Sequence, residues 1–210
     1  DVVYGMHNWP NMKVGEFGVR PGTMMGSSNE FDIVVRGRGA HAALPHLGAD
    51  PVLVAVQIVN GLQGIITRVK KPVDAVVLSV TMIHAGDICN VIPESARIGG
   101  TVRTFSDAVT AQIESQMRRI AEGTAAAHDC EATVEFHWNY PPTVNHAAEA
   151  EFAASVADDI VGPDNVHRDL EPTMGAEDFA FMLQVRPGAY LFIGNGDGDH
   201  RLAGHGLGPC

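Results

Sequence analysis

The sequence lacks paired cysteines and a surplus of positive charge. Its three cysteines, Cys89, Cys130 and Cys210, form no CxxC pair, which excludes a disulfide framework and indicates structural thiols in a reducing compartment, the cytoplasm. Lysine and arginine number 14 against 25 aspartates and glutamates, so the net charge is −11. An acidic surface repels nucleic acid and anionic membranes, which argues against both as partners. No apolar run approaches the roughly 18–20 residues of a membrane helix, so we predict no membrane span.

The chain also lacks an initiating methionine and a recognisable closing element. It runs from Asp1 directly into an apolar stretch, and it stops in a loop of glycine and proline at residues 204–210. Neither end resembles a signal peptide. We therefore expect a segment of a longer polypeptide.

A regular succession of strand and helix patterns is present in the middle of the chain. Asp50 followed by Pro51 is a strong helix start, because Asp caps the first turn and Pro suits the first helical position. The predicted elements are strands at 30–37, 73–84, 97–105 and 131–138, a helix from Asp50 that Pro72 stops, and a second helix capped by Ser106 and Asp107. The order β-α-β-β-α-β is typical of a ferredoxin-like sandwich, with four antiparallel strands and both helices on one face.

The flanking segments predict an incomplete α/β domain. Residues 1–26 indicate a short strand followed by loop. After a linker at 140–143, a helix near 146–161 and a helix that opens near 175–178 alternate with an apolar strand at 189–193, which indicates an α/β layer. The predicted domains are therefore an α/β domain made of 1–26 and 142–210 and an insert at 27–141.

Two of the ten histidines lie where a site could form. His7 is expected at the C-terminal end of a strand, the edge where open α/β sheets bind ligands; a hydrogen-bonded loop histidine is the plainer interpretation. His41 lies between a strand and the capped helix, where Gly37 and Gly39 permit a tight turn or close approach to a ligand; loop packing explains it equally well. Neither makes a metal site alone, because zinc needs three or four ligands and no HExxH is present.

Three further positions carry polar groups at element ends. Asn90 lies in a turn, and Arg103 lies at a strand end, where a guanidinium can pair with a carboxylate in a bidentate manner or form a surface salt bridge. Glu177 and Asp178 are adjacent carboxylates at a helix start, where helix capping is the plainer interpretation. The glycine and aspartate run at 194–199 lacks the glutamate of a calcium loop, so we discount it.

Six short motifs occur in order along the chain. They are GMHNWP at 5–10, GRGAHAALPH at 37–46, NVIP at 90–93, GTVR at 100–103, YPPTVN at 140–145 and GAEDF at 175–179. Together they resemble the hippurate hydrolase, N-acyl-amino-acid amidohydrolase and auxin-conjugate hydrolase group of dinuclear metallopeptidases. The resemblance covers nearly the whole chain.

The resemblance implies a two-metal α/β catalytic domain that carries a ferredoxin-like lid, and homodimers formed through that lid. It implies that His7 is a metal ligand and that His41 stabilises the carbonyl oxyanion, often in the active site of the partner subunit. Asn90 and Arg103 would bind the carboxylate or carbonyl end of the substrate, and Glu177 lines the cleft without a firm role. The implied reaction is hydrolysis of the amide bond of a small N-acyl amino acid with two divalent ions (Zn, Mn, Co or Ni).

Other features of that group are missing from this sequence. The Cys-Gly-His-Asp-Gly-His-like stretch, the paired glutamates and the last ligand histidine are absent. Since one histidine cannot hold a catalytic metal, we expect this segment to bind no metal and to be inactive alone. A carboxypeptidase or deacetylase for another amide would share the mechanism. A function of another class stays open: a ferredoxin-like binding or dimerisation module without catalysis.

Overall fold

The computed structural model describes residues 1–196; residues 197–210, which include Cys210 and the end of the glycine and aspartate run, lie outside the described residues. The chain divides into two compact units. The terminal unit contains Asp1–Met25, Pro142–Thr173 and the residues from Glu177 onward. The inserted unit contains Gly26–Pro141 and Met174–Ala176.

Helices and sheets are mixed throughout the described residues, which confirms the predicted α/β class. The strands are β1 (Val3–Trp9), β2 (Phe17–Gly18), β3 (Gly22–Met25), β4 (Ser28–Arg36), β5 (Ala40–His41), β6 (Val76–Ala85), β7 (Val91–Ile92), β8 (Ser95–Thr104), β9 (Glu131–Tyr140), β10 (Thr143–Asn145), β11 (Val166–His167) and β12 (Gly188–Gly194). The helices are α1 (Pro51–Gly64), which a π-helical turn (Ile65–Val69) extends, α2 (Asp107–Ala126), α3 (Ala147–Val161) and α4 (Phe179–Val185). Short 3-10 turns lie at Pro45–Leu47 and Pro163–Asn165.

The inserted unit follows the chain order β4-α1-β6-β8-α2-β9. Its four long strands form one sheet in the spatial order β6-β8-β4-β9, and each neighbouring pair is antiparallel. A second, two-stranded antiparallel sheet joins β5 to β7. One sheet face carries both helices, since residues of β4, β8, α1 and α2 share a single core cluster.

The start of α1 explains why this helix forms where the sequence predicts it. The side chain of Asp50 accepts hydrogen bonds from the backbone amides of Val52 (2.8 Å) and Leu53 (3.4 Å), and Pro51 occupies the first turn. Alternate residues of the sheet then meet the helix in the core. The side chains of Ile33, Ile98, Ile58 and Ile113 are fully buried there.

One predicted start of an element was wrong, and one predicted cap forms without its side-chain hydrogen bond. The strand expected from residue 73 begins at Val76, because the chain first turns back with a hydrogen bond from the Asp74 amide to the Lys71 carbonyl. Ser106 precedes α2 as expected, but its side chain makes no capping hydrogen bond. Its carbonyl instead accepts a hydrogen bond from the Thr110 hydroxyl.

Very short strands account for the other errors. His41 lies on the two-residue strand β5 and not in a loop. The expected linker at 140–143 holds the last residue of β9, Tyr140, and the first residue of β10, Thr143. Strands of two or three residues are too short to show an alternating pattern, so the sequence alone does not predict them.

The terminal unit has a four-stranded sheet in the order β1-β12-β2-β11. β1 and β12 are parallel, in register from Val3 opposite Gly188 to Trp9 opposite Gly194. Residues 1–26 thus contribute two strands to this sheet, β1 and β2. The single strand followed by loop that the sequence indicates is wrong in its second part, because the expected loop contains β2 and β3. β3 pairs with β10 in a separate sheet.

The segment Pro51–Val69 corrects the expectation about apolar runs. It spans 19 residues with a mean hydropathy of 1.5, long and apolar enough by length and composition to cross a membrane. A core helix of a globular protein passes the same test. Val54, Ile58 and Leu62 of this segment lie fully buried in the core of the inserted unit, and 28% of the segment is buried in all.

Candidate functional site

Backbone contacts hold the segment that carries His41. The Gly37 amide donates to the Glu94 carbonyl at 2.9 Å, and Arg38 and Ala49 exchange two backbone hydrogen bonds of 2.9 Å. A Cβ atom on Gly37 would lie 2.2 Å from the Ala49 carbonyl oxygen, so the position requires glycine. This glycine therefore serves a close approach between two backbone segments of the protein.

His41 and Asn90 lie on neighbouring segments of the inserted unit. His41 is opposite Val91 in the β5–β7 pair, and the Ala42 amide donates to the Asn90 carbonyl at 2.9 Å. The Ala43 amide donates to Nδ1 of His41 at 3.1 Å. Because Nδ1 accepts this bond, the proton of the neutral ring is on Nε2, and the exposed imidazole presents an N–H donor.

Arg103 lies near the end of β8, on the sheet face opposite the helices. Its neighbours Val102 and Thr104 are fully buried, so strand alternation places Arg103 on the other face. Its Nη1 atom donates to the Ser27 carbonyl at 3.5 Å. Arg97 on the same face binds the Asp32 carboxylate at 2.7 Å.

His7 lies in the terminal unit, on β1, opposite Phe192 of β12. Its Nδ1 atom is 2.6 Å from the Asn8 carbonyl oxygen. A carbonyl only accepts, so Nδ1 donates the proton and Nε2 carries the free lone pair. A histidine that donates through one ring nitrogen to a backbone carbonyl and offers the other is the usual form of a metal ligand.

A row of aromatic rings borders His7. Trp9 lies two residues further along β1 and stacks on Phe192 with ring centroids 3.9 Å apart. Phe192 meets Tyr190 edge-on at 6.5 Å. Since paired residues of neighbouring strands point to the same face, His7 shares its sheet face with these rings.

Tyr190 connects this face to Glu177. The Tyr190 hydroxyl donates to Oε2 of Glu177 at 2.6 Å, and the Asp178 amide donates to Oε1 at 3.0 Å. Burial opposes ionisation of Glu177, but the hydrogen bonds from Tyr190 and the neighbouring amides outweigh it and lower the pKa of this carboxyl. Burial and the adjacent carboxylate raise the pKa of Tyr190, which therefore stays a neutral donor. Asp178 precedes α4 without a side-chain cap.

Asn145 is a residue of this region to which sequence reasoning assigned no role. It is 3% exposed, and its amide donates to the carbonyls of Arg20 and Tyr190, each at 2.9 Å. Its Oδ1 atom accepts from the Tyr190 amide at 2.7 Å. The available signal was its place in the YPPTVN motif at 140–145. Asn145 positions the backbone of Tyr190 from the side of β10.

The described residues supply few metal ligands. Among residues 1–196, no group of three or more His, Cys, Asp or Glu side chains is placed to hold a metal ion. His7 has the hydrogen bonding of a ligand, but a stable zinc site needs at least three protein groups. The described residues thus fit one ligand of a metal site and do not complete one.

Comparisons with known proteins show the family. The model of Peptidase family M20/M25/M40 matches residues 1–205. The chain is 39% identical over 193 residues to the N-acetylcysteine deacetylase of Bacillus subtilis (strain 168), which covers 91% of this chain and 50% of that protein. It is 35% identical over 196 residues to the IAA-amino acid hydrolase ILR1-like 4 of Arabidopsis thaliana, which covers 91% of this chain and 44% of that protein.

A solved structure shows the same fold. A dinuclear metal-binding peptidase of the M20 family from Bacillus subtilis superposes with a TM-score of 0.76 at 32% identity, over 92% of this chain and 48% of that one. The chain therefore spans about half the length of the relatives it matches. The family model matches residues of both units, and the superposed structure covers 92% of the chain. The chain belongs to Peptidase family M20/M25/M40.

Proposed function

We propose that this chain is part of an enzyme that hydrolyses the amide bond of N-acyl amino acids with the aid of two divalent metal ions. The observation that carries the proposal is the opposite hydrogen bonding of two histidines. His7 offers a lone pair on Nε2, as a metal ligand must, whereas His41 offers an Nε2 proton, as an oxyanion donor must. Similarity to a deacetylase of N-acetylcysteine supports an acylated amino acid as the substrate.

The metal ions of this proposal are Zn, Mn, Co or Ni. Bound ions supply Lewis-acid polarisation of the amide carbonyl and make a water molecule more acidic. His7 is the residue of this chain suited to hold one ion, through Nε2. The other ligands lie outside the described residues, since no set of three converges within residues 1–196.

The inserted unit supplies the polar groups of the proposed mechanism. His41 donates its Nε2 proton in a hydrogen bond to the carbonyl oxygen as negative charge develops there, a contribution of about 100- to 1,000-fold in kcat for such a donor. Arg103 binds the carboxylate of the substrate's amino acid. This local positive charge is needed because the net charge of −11 on the chain repels an anionic substrate. The Asn90 amide binds the carbonyl end, because it both donates and accepts.

We further propose that the inserted unit is a ferredoxin-like lid that mediates a homodimer, and that the terminal unit belongs to the catalytic domain. The strand order β6-β8-β4-β9 with both helices on one face supports the first assignment. A binding module without catalysis is less well supported, since the family match extends through both units. Cys89 and Cys130 are free thiols, which supports the cytoplasm.

The proposal is tested on the longer polypeptide that carries these 210 residues, loaded with each of the four metals. It should release free amino acid from N-acetyl and N-benzoyl amino acids. His41→Ala should lower kcat at least about 100-fold, and His41→Gln, which keeps an N–H donor, should retain more activity than His41→Ala. His46→Ala, at an exposed histidine of the same segment, is the matched control. Release of no amino acid with any metal would overturn the proposal.

A further inference from the structure

A cluster of buried polar side chains lies at the end of the sheet that carries Arg103. Its members are each 1% exposed or less, and they are Ser27, Asn29, Thr104 and Thr110. The face of β4 that carries Asn29 is otherwise apolar, since Phe31 and Ile33 on that face belong to the core of the inserted unit. Burial of polar groups costs free energy unless they are hydrogen-bonded. A polar cluster at the margin of an apolar core therefore indicates a role other than packing.

The Asn29 amide group forms one side of this cluster. Its Nδ2 atom donates to the Ser27 hydroxyl at 2.9 Å and to the Val102 carbonyl at 3.1 Å. A carbonyl only accepts, which fixes Nδ2 as the atom that faces Val102. The Oδ1 atom of Asn29 is buried and has no hydrogen-bond partner among residues 1–196. Because an unsatisfied buried oxygen lowers stability, the contribution of Asn29 lies in its two donated hydrogen bonds.

Ser27 connects Asn29 to the end of β8. Its hydroxyl oxygen accepts from the Thr104 amide at 3.0 Å, and its own amide donates to the Thr104 carbonyl at 2.8 Å. Since Asn29 and the Thr104 amide use both lone pairs, the Ser27 hydroxyl proton donates to the Thr104 hydroxyl at 3.3 Å. The Thr104 hydroxyl lies 2.6 Å from that of Thr110 on α2. The cluster thus joins the end of β8 to the segment that enters β4 and to a helix.

These bonds hold the backbone on both sides of Arg103. The ladder between β4 and β8 ends at the pair of Asn29 and Val102, one residue before Arg103. Asn29 holds the peptide plane before Arg103 through the Val102 carbonyl. Ser27 holds the peptide plane after it through the Thr104 amide. Because peptide units are planar, fixing the two planes that meet at a Cα atom fixes the direction of its side chain.

The cluster orients Arg103 with uncharged groups. The Ser27 carbonyl accepts a hydrogen bond of 3.5 Å from Nη1 of Arg103, so Ser27 contacts both the base and the tip of this side chain. Arg97, on the same sheet face, is held by the Asp32 carboxylate at 2.7 Å, which compensates its charge. A carboxylate beside an arginine competes with a substrate carboxylate for the same donors. Hydroxyl and amide groups orient the guanidinium without that competition.

We propose that Ser27 and Asn29 are positioning residues for Arg103, which they direct toward the carboxylate of the substrate by fixing the peptide planes on both sides of it. The inference rests on the proposed function, in which Arg103 binds that carboxylate. Ser27 and Asn29 act on binding of the amino-acid end of the substrate and not on the reaction at the amide bond. Loss of binding of this kind raises KM and leaves kcat unchanged.

Steady-state kinetics of the longer polypeptide that carries these residues test the proposal. Asn29→Leu and Ser27→Ala should each raise KM for an N-acetyl amino acid about tenfold, with kcat changed less than about twofold. Neither variant should change kcat/KM for the corresponding N-acetyl amino acid amide, which has no carboxylate. Ser27→Thr keeps the hydroxyl and should restore a low KM. Ile33→Ala is the matched control, because it truncates a buried side chain on the same face of β4 and should leave KM unchanged.

A double-mutant cycle separates positioning of Arg103 from a general loss of stability. In the Arg103→Ala background, Asn29→Leu should raise KM no further, because the group that it misplaces is gone. A further tenfold rise in that background would mean that Asn29 acts independently of Arg103 (about 1.4 kcal/mol added to the first loss). That result overturns the proposal, as does an equal rise in KM with Ile33→Ala.

Nitrogen relaxation of the Arg103 side chain tests the positioning without hydrolysis. In the 210-residue chain, Ser27→Ala and Asn29→Leu should lower the order parameter of the Arg103 Nε–H group, and Ile33→Ala should not. An unchanged order parameter in the first two variants overturns this inference. Release of no amino acid by the longer polypeptide with any metal overturns the proposed function instead, so the two failures are distinguishable.

Discussion

The two units differ in how completely they bury their apolar residues. Among the described residues, the inserted unit has one core cluster of 18 buried residues, drawn from one sheet face and two helices. The buried residues of the terminal unit fall into two clusters of eight and five, and five of the eight are alanines. A groove of about 220 Å³ lined by apolar residues, among them Tyr4, Met6, Phe152 and Ile160, lies open on this unit.

The difference follows from the way each sheet is covered. In the inserted unit, α1 and α2 together cover one sheet face. Among residues 1–196, β1 lies at the edge of the sheet in the terminal unit, and its sequence from Val3 to Trp9 contains none of the Lys or Pro residues that usually protect a sheet edge. Since hydrophobic stabilisation scales with the apolar area removed from water, we expect the terminal unit of this chain to unfold at lower denaturant than the inserted unit.

The largest expected effect comes from truncating a buried side chain in the larger core, that of the inserted unit. Ile98→Ala removes a fully buried side chain from β8 and should cost about 2–5 kcal/mol of unfolding free energy. Leu191→Ala in the terminal unit should cost less, because Leu191 also lines the open groove and the truncated site stays in contact with it. Hydrogen exchange during urea unfolding resolves the amides of each unit. A greater loss of unfolding free energy from Leu191→Ala than from Ile98→Ala would contradict the expected difference between the two units.

A second prediction concerns the rigidity of the segment that carries His41. Gly37→Ala places a Cβ atom 2.2 Å from the Ala49 carbonyl oxygen and should cost about 1–3 kcal/mol. Gly64→Ala is the matched change, because no atom lies within 4 Å of its Cβ and the site is helical; it should stabilise by about 0.5–1 kcal/mol. Thermal unfolding measures both. Equal shifts in melting temperature for Gly37→Ala and Gly64→Ala would show that the backbone at Gly37 moves to accept the added Cβ atom.

These examples show what could be predicted from the sequence. The start of α1 depends on Asp50 and Pro51, which are neighbours, so a local pattern was enough. The pairing of His41 with Val91 joins segments 50 residues apart, and no local pattern encodes it. The hydrogen bond from Tyr190 to Glu177 is likewise a product of the fold. Glu177 was recognised as a carboxylate at a helix start and as part of a motif, and its partner was missed.

The smallest expected effect is on the pH dependence of the stability of the terminal unit. Because the pKa of Glu177 is lowered in the folded state, the stability it contributes is present above its ordinary pKa of 4.5 and is lost as the pH falls through the lower folded value. Tyr190→Phe removes the hydroxyl that donates to Glu177 and should cost roughly 1–2 kcal/mol at neutral pH.

The variant should also lose less stability on acidification than the unmodified chain, since its Glu177 titrates nearer the ordinary value. Urea unfolding from pH 7 down to about pH 3, which lies below the ordinary glutamate pKa of about 4.3, checks both parts. Glu114→Gln in the inserted unit is the control, because it removes a different carboxyl of lowered pKa. Identical acid dependence of the Tyr190→Phe variant and the unmodified chain would contradict the role given to the pair.

The measurement that tests the central claim most directly is nitrogen NMR of the two imidazole rings, under conditions where both rings are neutral. His7 and His41 hold opposite tautomers in the structure, one suited to bind a metal ion and the other to donate to an oxyanion. The account predicts the proton on Nδ1 of His7 and on Nε2 of His41. The same protonated nitrogen in both rings would contradict the division of roles on which the proposed function depends.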